Sequence, residues 1–281
     1  MSLLQRARHL LRLYNFLPKK RLGQNFVVDT DPLQRMISYA SVTEDDVVLE
    51  VGAGLGFLTQ ILSRECKRVI AVEGDPKLTR ILREHLQGLQ NVDLIEGDIL
   101  SLSVPSFNKV VSTPPYSISS PLLFWLLERK FDCAVLTFQK EFAERLAASV
   151  GSKEYGRLTV TTYYRGEVEL LDPVPRNMFY PPPDVDSIIV RLRPRAPPFQ
   201  VEDKETFLEL VRTLFTQRNK KVRNAILPFL HKLGVKGGNA LELADSLPFH
   251  DKRVRGLAPE DFGTLANEIV RNPHLVSPKE V

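Results

Sequence analysis

Short, continuous apolar segments alternate with amphipathic segments through the first half of the chain. The apolar segments predict strands near 47–52, 68–73, 92–96, 108–112 and 133–138. The amphipathic segments, in which apolar residues recur every three or four positions, predict helices near 57–65, 76–87, 119–129 and 140–149. Apolar strands separated by helices are typical of a parallel sheet covered on both faces. We therefore predict an α/β fold in which ligands bind beyond the carboxyl ends of the strands.

Four further elements are predicted around this sheet. A helix begins at Asp31-Pro32 and runs to about Tyr39. The segment Leu158–Tyr164 has strand propensity, but its place in the alternation favours a helix, so both assignments stay open. Val168–Val174 and Ser187–Leu192 predict two strands, joined by a proline-rich connector, that pair antiparallel and close the sheet.

A proline-rich linker at residues 193–198 separates the sheet from a helical region, because its prolines cannot continue a helix or a strand. Beyond it, helical spacing covers residues 204–214, 218–233, 238–246 and 259–270. We therefore predict an amino-terminal arm over residues 1–28, a sheet domain over 29–193 and a small all-helical domain over 199–281.

Composition indicates an ordinary globular protein. The chain has 281 residues, of which 43% are hydrophobic, enough to bury a large core. No apolar run approaches the roughly 20 residues that cross a bilayer, and the amino terminus does not resemble a signal peptide. We therefore expect a cytoplasmic protein with no membrane association. The two cysteines are far apart and the histidines are scattered, so we predict no disulfide and no metal site.

Charge is unevenly distributed along the chain. The net charge is only +4, yet residues 1–28 contain six lysines and arginines without an acid, and residues 210–236 contain seven without an acid. Two basic segments on an acidic body are typical of proteins that bind a phosphate backbone. The alternatives are two solvated helix faces or, for the first segment, a transit peptide that forms an amphipathic helix.

A glycine-rich turn follows the first predicted strand of the sheet. Asp46–Gly56 passes from that strand into glycines at 52, 54 and 56, where the backbone can turn tightly and approach a ligand. Glu73 ends the next strand, and a carboxylate at that place can accept both hydroxyls of a ribose. These residues predict a cofactor that contains a nucleoside. A tight turn without a ligand is the alternative.

Two residues beside the turn distinguish between cofactors. A dinucleotide-binding turn would have its third glycine at position 57, but Phe57 is there. Glu50 places a carboxylate next to the turn, where it would repel a diphosphate and attract the cationic amino-acid end of S-adenosylmethionine (SAM). The turn therefore favours SAM.

A stiff corner follows the fourth predicted strand. Pro114 and Pro115 have no N–H group, so the carbonyl of Pro114 in particular is available to accept a hydrogen bond from a ligand amine. Tyr116 offers a flat face on which a base can stack. Phe179 lies in a second proline-fixed loop, and the two rings could enclose an extruded base. The alternative is two proline turns with packed aromatic rings.

Seven segments, in order, resemble the motifs of the KsgA-type ribosomal RNA adenine dimethyltransferases. They are Arg21–Val27, Glu50–Gly56, Glu73, Glu96–Asp98, Pro115–Pro121, Phe179–Ser187 and Phe215–Asn224. The match spans roughly residues 18–265, and seven ordered motifs are more specific than any single one. The resemblance implies a Rossmann-like SAM-dependent methyltransferase sheet with helices on both faces, followed by a small all-helical RNA-binding domain.

The resemblance also implies the roles of individual residues. Cofactor-binding positions are Gln24, Asn25 and Val27 from the arm, Gly52, Gly54 and Leu55 at the methionine end, Glu73 at the ribose, Asp98 and Ile99 at the adenine, and Thr113. Catalytic positions are Thr113, Pro114, Tyr116 and Phe179, and RNA-binding positions are Arg218, Lys220, Lys221 and Arg223.

The implied reaction is N6,N6-dimethylation of adjacent adenosines in a loop near the 3′ end of small-subunit rRNA, with two SAM molecules consumed for each adenosine. The implied partner is an immature small ribosomal subunit, and we expect the protein to be a monomer. Loop bases suit this chemistry because they are easily unstacked.

Position 113 departs from the family pattern, in which an asparagine or aspartate oxygen accepts one proton of the adenine amine. Thr113 has acceptor lone pairs, but its side chain is shorter and is also a donor. The leading alternative is therefore a catalytically weak or inactive RNA-binding factor of ribosome biogenesis. A methyltransferase acting on DNA or on large-subunit rRNA is a further alternative, and a dehydrogenase is the least favoured.

Overall fold

A computed structural model describes residues 1–272 and divides into two compact units. The first unit comprises residues 1–143 and 167–194, and the second comprises residues 144–166 together with the chain from Arg195 onward. Two predicted boundaries therefore differ from the structure, since residues 144–166 belong to the second unit and residues 1–28 are part of the first. Residues 273–281 of the predicted helical domain lie outside the described residues.

The structure contains nine strands and twelve α-helices over the described residues. The strands are β1 Phe26–Val27, β2 Val47–Val51, β3 Arg68–Glu73, β4 Val92–Glu96, β5 Lys109–Ser112, β6 Cys133–Gln139, β7 Gly166–Val174, β8 Phe179–Tyr180 and β9 Ser187–Pro194. The helices are α1 Leu3–Leu13, α2 Thr30–Ala40, α3 Phe57–Glu65, α4 Pro76–His85, α5 Ser119–Leu127, α6 Lys140–Leu146, α7 Arg157–Arg165, α8 Lys204–Phe215, α9 Val222–Ala225, α10 Leu227–Lys232, α11 Gly237–Ser246 and α12 Pro259–Arg271.

One seven-stranded sheet organises the first unit, with strand order β4-β3-β2-β5-β6-β9-β7. The first five strands of this order run parallel, and β9 pairs antiparallel with β6. Central strand residues such as Leu49, Ile70 and Val110 are fully buried, since helices cover the sheet and each residue faces packed side chains. The predicted α/β class is confirmed, and β9 and β7 close the sheet at the end opposite β4.

Helix α1 is an integral part of the first unit. Ser2 and Gln5 form a reciprocal cap at its amino terminus, and Ala7 and Leu11 are buried in the hydrophobic core. Arg6 donates to Gln60 Oε1 over 2.9 Å. The basic segment is therefore amphipathic, as the helical alternative expected, and it packs against the sheet domain instead of forming a separate arm.

The second unit is helical. It settles the open assignment of residues 158–164 and differs from the prediction at residues 218–221. The segment Leu158–Tyr164 forms α7, which buries Val160 and Tyr164 on one face. The predicted single helix over 218–233 is wrong. Residues 218–221 are not helical, because their backbone pairs with a distant segment: Arg255 donates to the carbonyl of Arg218 and Val254 to that of Lys220.

Candidate cofactor and catalytic site

A cavity of about 390 Å³ lies at the carboxyl ends of the parallel strands in the first unit. The residues that follow β2, β3, β4 and β5 form most of its wall, and residues 22–27 form another part. All ten predicted cofactor-binding residues line it: Gln24, Asn25, Val27, Gly52, Gly54, Leu55, Glu73, Asp98, Ile99 and Thr113. The topology therefore brings together residues that are far apart in the sequence.

The glycine turn between β2 and α3 needs glycine for two reasons. Gly52 and Gly54 have φ values of +77° and +60°, which side chains rarely adopt. A Cβ atom on Gly54 would also lie 2.9 Å from Cδ1 of Phe26, and one on Gly52 would lie 2.8 Å from Cδ of Pro115. The turn is therefore in close contact with both the amino-terminal segment and the proline corner.

Glu73 lies at the end of β3 with 7% of its surface exposed. Its Oε2 accepts a hydrogen bond from the N–H of Gly54 over 2.9 Å, and its Oε1 accepts one from the N–H of Asp75 over 2.8 Å. Burial raises the pKa of Glu73, although these hydrogen bonds favour the ionised form. The carboxyl has about four lone-pair sites, so it can still accept a hydrogen bond from a ribose hydroxyl.

Glu50 is 2% exposed and also lines the cavity. The hydroxyl of Thr59 donates to its Oε2 over 2.6 Å. Burial raises the pKa of Glu50 to about 8, and the neighbouring charge of Glu73 contributes in the same direction. The prediction that Glu50 is always ionised is therefore wrong. At neutral pH this group is mostly protonated until a cation enters the cavity.

Gln24 lines the cavity as predicted, and its side chain also forms hydrogen bonds with two other residues of the protein. Its Nε2 donates to Asp75 Oδ2 over 2.9 Å, and its Oε1 accepts from the N–H of Lys19 over 2.7 Å. Asp75 lines the cavity as well, yet sequence reasoning missed it. The available signal was its place two residues after Glu73 and directly before Pro76, at the amino-terminal cap of α4.

The proline corner after β5 reaches the cavity through Thr113 and Pro115. The ring of Tyr116 is held by a hydrogen bond of 2.6 Å between its hydroxyl and Ser187 Oγ, and burial raises the pKa of this phenol. The Pro114 side chain is buried. Thr113 therefore lines the cofactor cavity, whereas Pro114 and Tyr116 do not line it.

Phe179 does not line this cavity. It lies in β8, which pairs with β1, and only 4% of its surface is exposed because it packs in the hydrophobic core. The expected pair of exposed rings around a base is therefore not formed in the described conformation, and a stacking role for Phe179 stays a prediction.

Comparison with known proteins identifies the family of the chain. The model of the family described as ribosomal RNA adenine dimethylase matches residues 15–254. The chain belongs to the ribosomal RNA adenine dimethylase family. Membership confirms the predicted resemblance, the SAM-dependent methyltransferase class and SAM as the cofactor. It gives no support to the dehydrogenase alternative.

Individual relatives of this rRNA adenine dimethylase agree with the family. A Methanosarcina acetivorans protein named "Probable ribosomal RNA small subunit methyltransferase A" is 42% identical over 93% of this chain and 97% of its own length. The crystal structure of a dimethyladenosine transferase from Plasmodium falciparum is 31% identical, with a TM-score of 0.76 over 88% of this chain and 98% of that chain. The crystal structure of 23S rRNA methyltransferase ErmE is 29% identical, with a TM-score of 0.66 over 88% and 100%.

The predicted RNA-binding residues of this dimethylase lie in the second unit, and acidic side chains neutralise two of them. Lys221 pairs with Asp251 over 2.7 Å, and Arg223 pairs with Asp245 over 3.0 Å. The guanidinium of Arg218 donates to the carbonyls of Ser152 and Lys153 over 2.8 Å each. Lys220 is exposed, and within residues 1–272 no ion pair engages it. Residues 210–236 contain no acid, but acids that follow them in the sequence therefore pair with two of their basic side chains in the folded protein.

Two further features of residues 1–272 of the dimethylase concern metal ions and membranes. That part of the chain has no cluster of three or more histidine, cysteine or acidic side chains arranged to hold a metal ion. None of its helices combines the length and apolar character needed to span a bilayer.

Proposed function

We propose that this protein transfers methyl groups from SAM to N6 of adjacent adenosines in a loop near the 3′ end of small-subunit rRNA. The observation that carries the proposal is the cavity lined by the glycine turn, Glu73, Asp98 and Thr113. The small subunit is favoured because the archaeal relative named for that subunit is 42% identical, whereas ErmE, named for 23S rRNA, is 29% identical.

The cofactor-binding roles follow from the chemistry of each wall. Glu73 accepts hydrogen bonds from the ribose hydroxyls, and Asp98 accepts one from the adenine amine while the Ile99 N–H donates to the ring. Gly52–Gly56 surrounds the methionine end, where the first N–H groups of α3 have no acceptor within the helix and suit its carboxylate. Glu50 ionises to hold its ammonium group.

The chemical difficulty lies in the target amine, whose lone pair is delocalised into the adenine ring. SAM supplies an electrophilic methyl group when it is bound. Thr113 Oγ1 and the Pro114 carbonyl accept hydrogen bonds from the two N6 protons, which favours a pyramidal nitrogen with its lone pair directed at that methyl group. Tyr116 supplies the stacking face for the base. A strong general base is unnecessary, because the nitrogen becomes acidic once it carries the methyl group.

The rRNA contacts in this proposal come from basic side chains that remain accessible. They include Arg12 and Arg21 in the first unit and Lys220 in the second, all of which are exposed. We propose that the protein acts as a cytoplasmic monomer on an immature small subunit. Sedimentation of the protein alone over a range of concentrations tests the monomer, because a dimer would sediment faster than a monomer as the concentration rises.

The deciding experiment measures transfer of radiolabelled methyl groups to immature small-subunit particles, to large-subunit rRNA and to duplex DNA. We expect incorporation into adenosine of the small-subunit RNA only. Glu73→Ala should abolish it, because the ribose acceptor is lost, while Glu242→Ala on the exposed surface of α11 should not change it. If the particles are bound but not methylated, the alternative of a catalytically weak RNA-binding factor replaces the proposal.

A further inference from the structure

Residues 19–27 run along the cofactor cavity and form a wall that does not belong to the sheet. Several of them line the cavity, namely Lys19, Leu22, Gly23, Gln24, Asn25, Phe26 and Val27. The other walls come from loops anchored directly to the parallel strands. The cavity is partly open to solvent, so these residues form a side wall against which a cofactor would lie and do not seal it.

Asp75 connects this segment to the loop that follows β3. Its Oδ2 accepts hydrogen bonds from Lys19 Nζ and from Gln24 Nε2, each over 2.9 Å. Its Oδ1 caps α4 by accepting from the N–H of Lys77 over 3.0 Å. Although burial opposes ionisation, these donors lower the pKa of Asp75, so the carboxylate is charged at neutral pH.

The contact between Gln24 and Asp75 is buried, since each residue has only 7% of its surface exposed. A buried hydrogen bond to a charged group is costly to break, because both partners then lose a contact that water does not readily replace. The pair is therefore stronger than a surface contact such as Lys20 with Asp184, whose side chains are both well exposed.

Asp75 is also hydrogen-bonded to the residue expected to hold the ribose. Its backbone N–H donates to Glu73 Oε1 over 2.8 Å, and Glu73 Oε2 accepts from the glycine turn at Gly54. A continuous series of hydrogen bonds thus links the cavity to residues 19–27. A ligand that fixes Glu73 also fixes the backbone that positions the carboxylate of Asp75.

We propose that Asp75 is a positioning residue whose pairing with Gln24 holds residues 19–27 against the bound cofactor, so that loss of this pair speeds cofactor release. The inference rests on the proposed cofactor cavity. It assigns to Gln24 the role of holding the cavity wall in place, in addition to lining it.

An exchange of the two functional groups tests the pair. In Gln24→Glu two carboxylates face each other, and in Asp75→Asn two amide donors compete for the same space. The double variant restores one carboxylate and one amide. Its carboxylate at position 24 can still accept from the N–H of Lys19, and its amide oxygen at position 75 can still cap α4. We expect each single variant to release radiolabelled S-adenosylhomocysteine (SAH) about tenfold faster or more. We expect the double variant to return to within about threefold of the parent protein.

Trypsin provides a second measurement that is independent of catalysis, because Lys19, Lys20 and Arg21 are exposed cleavage sites in the same segment. SAH should slow cleavage there in the parent protein and in the double variant, but not in Gln24→Glu. Asp184→Asn removes the exposed contact with Lys20 and serves as the control, with SAH release and protection by SAH both unchanged.

The outcomes separate the two proposals. If SAH fails to bind the parent protein, the cofactor cavity itself is wrong. If SAH binds but its release and the cleavage pattern are the same in all variants, or if the double variant behaves like the single ones, the role of the Gln24–Asp75 pair is overturned while the cavity stands.

Discussion

The affinity of the protein for its cofactor should depend steeply on pH through Glu50. This group is buried in the cavity wall, and its pKa is raised to about 8. A cationic ammonium group pairs with the ionised carboxylate, so the apparent dissociation constant is the intrinsic one divided by the ionised fraction. That fraction is about 1% at pH 6, about 10% at pH 7 and about half at pH 8, given the raised pKa.

We therefore expect SAH to bind about tenfold more tightly at pH 7 than at pH 6, and about fivefold more tightly again at pH 8. At higher pH the affinity should level off as Glu50 becomes fully ionised, and it should fall only where the ammonium group of the ligand loses its proton. At pH 7 binding should release nearly one proton from Glu50. Calorimetry in two buffers with different ionisation enthalpies measures both the affinity and the number of protons released.

Ionisation of Glu50 should also lower the stability of the free protein as the pH rises. The pKa of Glu50 is higher in the folded protein than in the unfolded chain, so the folded state binds more protons between pH 4.5 and about 8. The contribution of Glu50 to stability is therefore present below pH 4.5 and is lost as the pH rises to about 8. A pKa near 8 against 4.5 corresponds to about 5 kcal/mol over this interval.

Two variants isolate the effect of Glu50. Glu50→Gln cannot ionise, so SAH affinity should be low and nearly constant from about pH 6 to about pH 8, and thermal stability above about pH 8 should rise. Thr59→Val removes the hydroxyl that donates to Glu50, so the pKa should rise further and tight binding should move to higher pH. An affinity that is the same at both ends of this pH range in the parent protein, with no proton release, would refute the reasoning.

Three further predictions concern Thr113 in the proline corner, Gly54 in the glycine turn and the exposed Lys220. Thr113→Asn restores a longer acceptor at the target amine, and single-turnover methyl transfer should become about a hundredfold faster, since one positioned contact of this kind contributes a factor of roughly 10² to 10³; an unchanged rate would show that the threonine hydroxyl suffices. Gly54→Ala forces a Cβ to within 2.9 Å of Phe26 at a φ of +60°, so thermal denaturation should show a loss of about 1 to 3 kcal/mol together with weaker SAH binding; equal melting temperatures would contradict it. Lys220→Ala should weaken RNA binding and reduce its salt dependence more than Lys221→Ala, because Lys221 is already paired with Asp251; equal effects in a filter-binding salt series would count against the assignment.

The sequence predicted those parts of the molecule whose signal is local. Parallel strands that are buried on both faces are largely apolar, so the positions of β2 to β6 along the chain and of their intervening helices could be predicted from the hydrophobic pattern. The glycine turn was equally clear, because positive φ angles strongly favour glycine. Both features place the cavity, since ligands of such sheets bind at the carboxyl ends of the strands.

The parts that differed depend on contacts between distant segments. Residues 218–221 have helical spacing, but their carbonyls accept hydrogen bonds from residues 254–255, so the helix does not form there. Charge in the sequence suggested that Lys221 and Arg223 were available for RNA, yet acids that follow more than 20 positions later pair with both. Burial of Glu50 likewise arises from packing, and no local pattern predicts that its pKa reaches about 8.

The glycines at 52 and 54 have a wider role than the approach of a ligand. A motif of alternating glycines is usually explained by the backbone coming close to a cofactor. Here the space that a Cβ would occupy is already taken by Pro115 at Gly52 and by Phe26 at Gly54. The glycine turn is therefore packed directly against the proline corner on one side and the amino-terminal segment on the other. Because interiors are close-packed and transmit small displacements, a change in any one of these three segments alters the position of the other two. The methyl donor and the target amine must be positioned relative to each other to within a few tenths of an ångström. This shared packing is the physical means by which the chain can hold both in position.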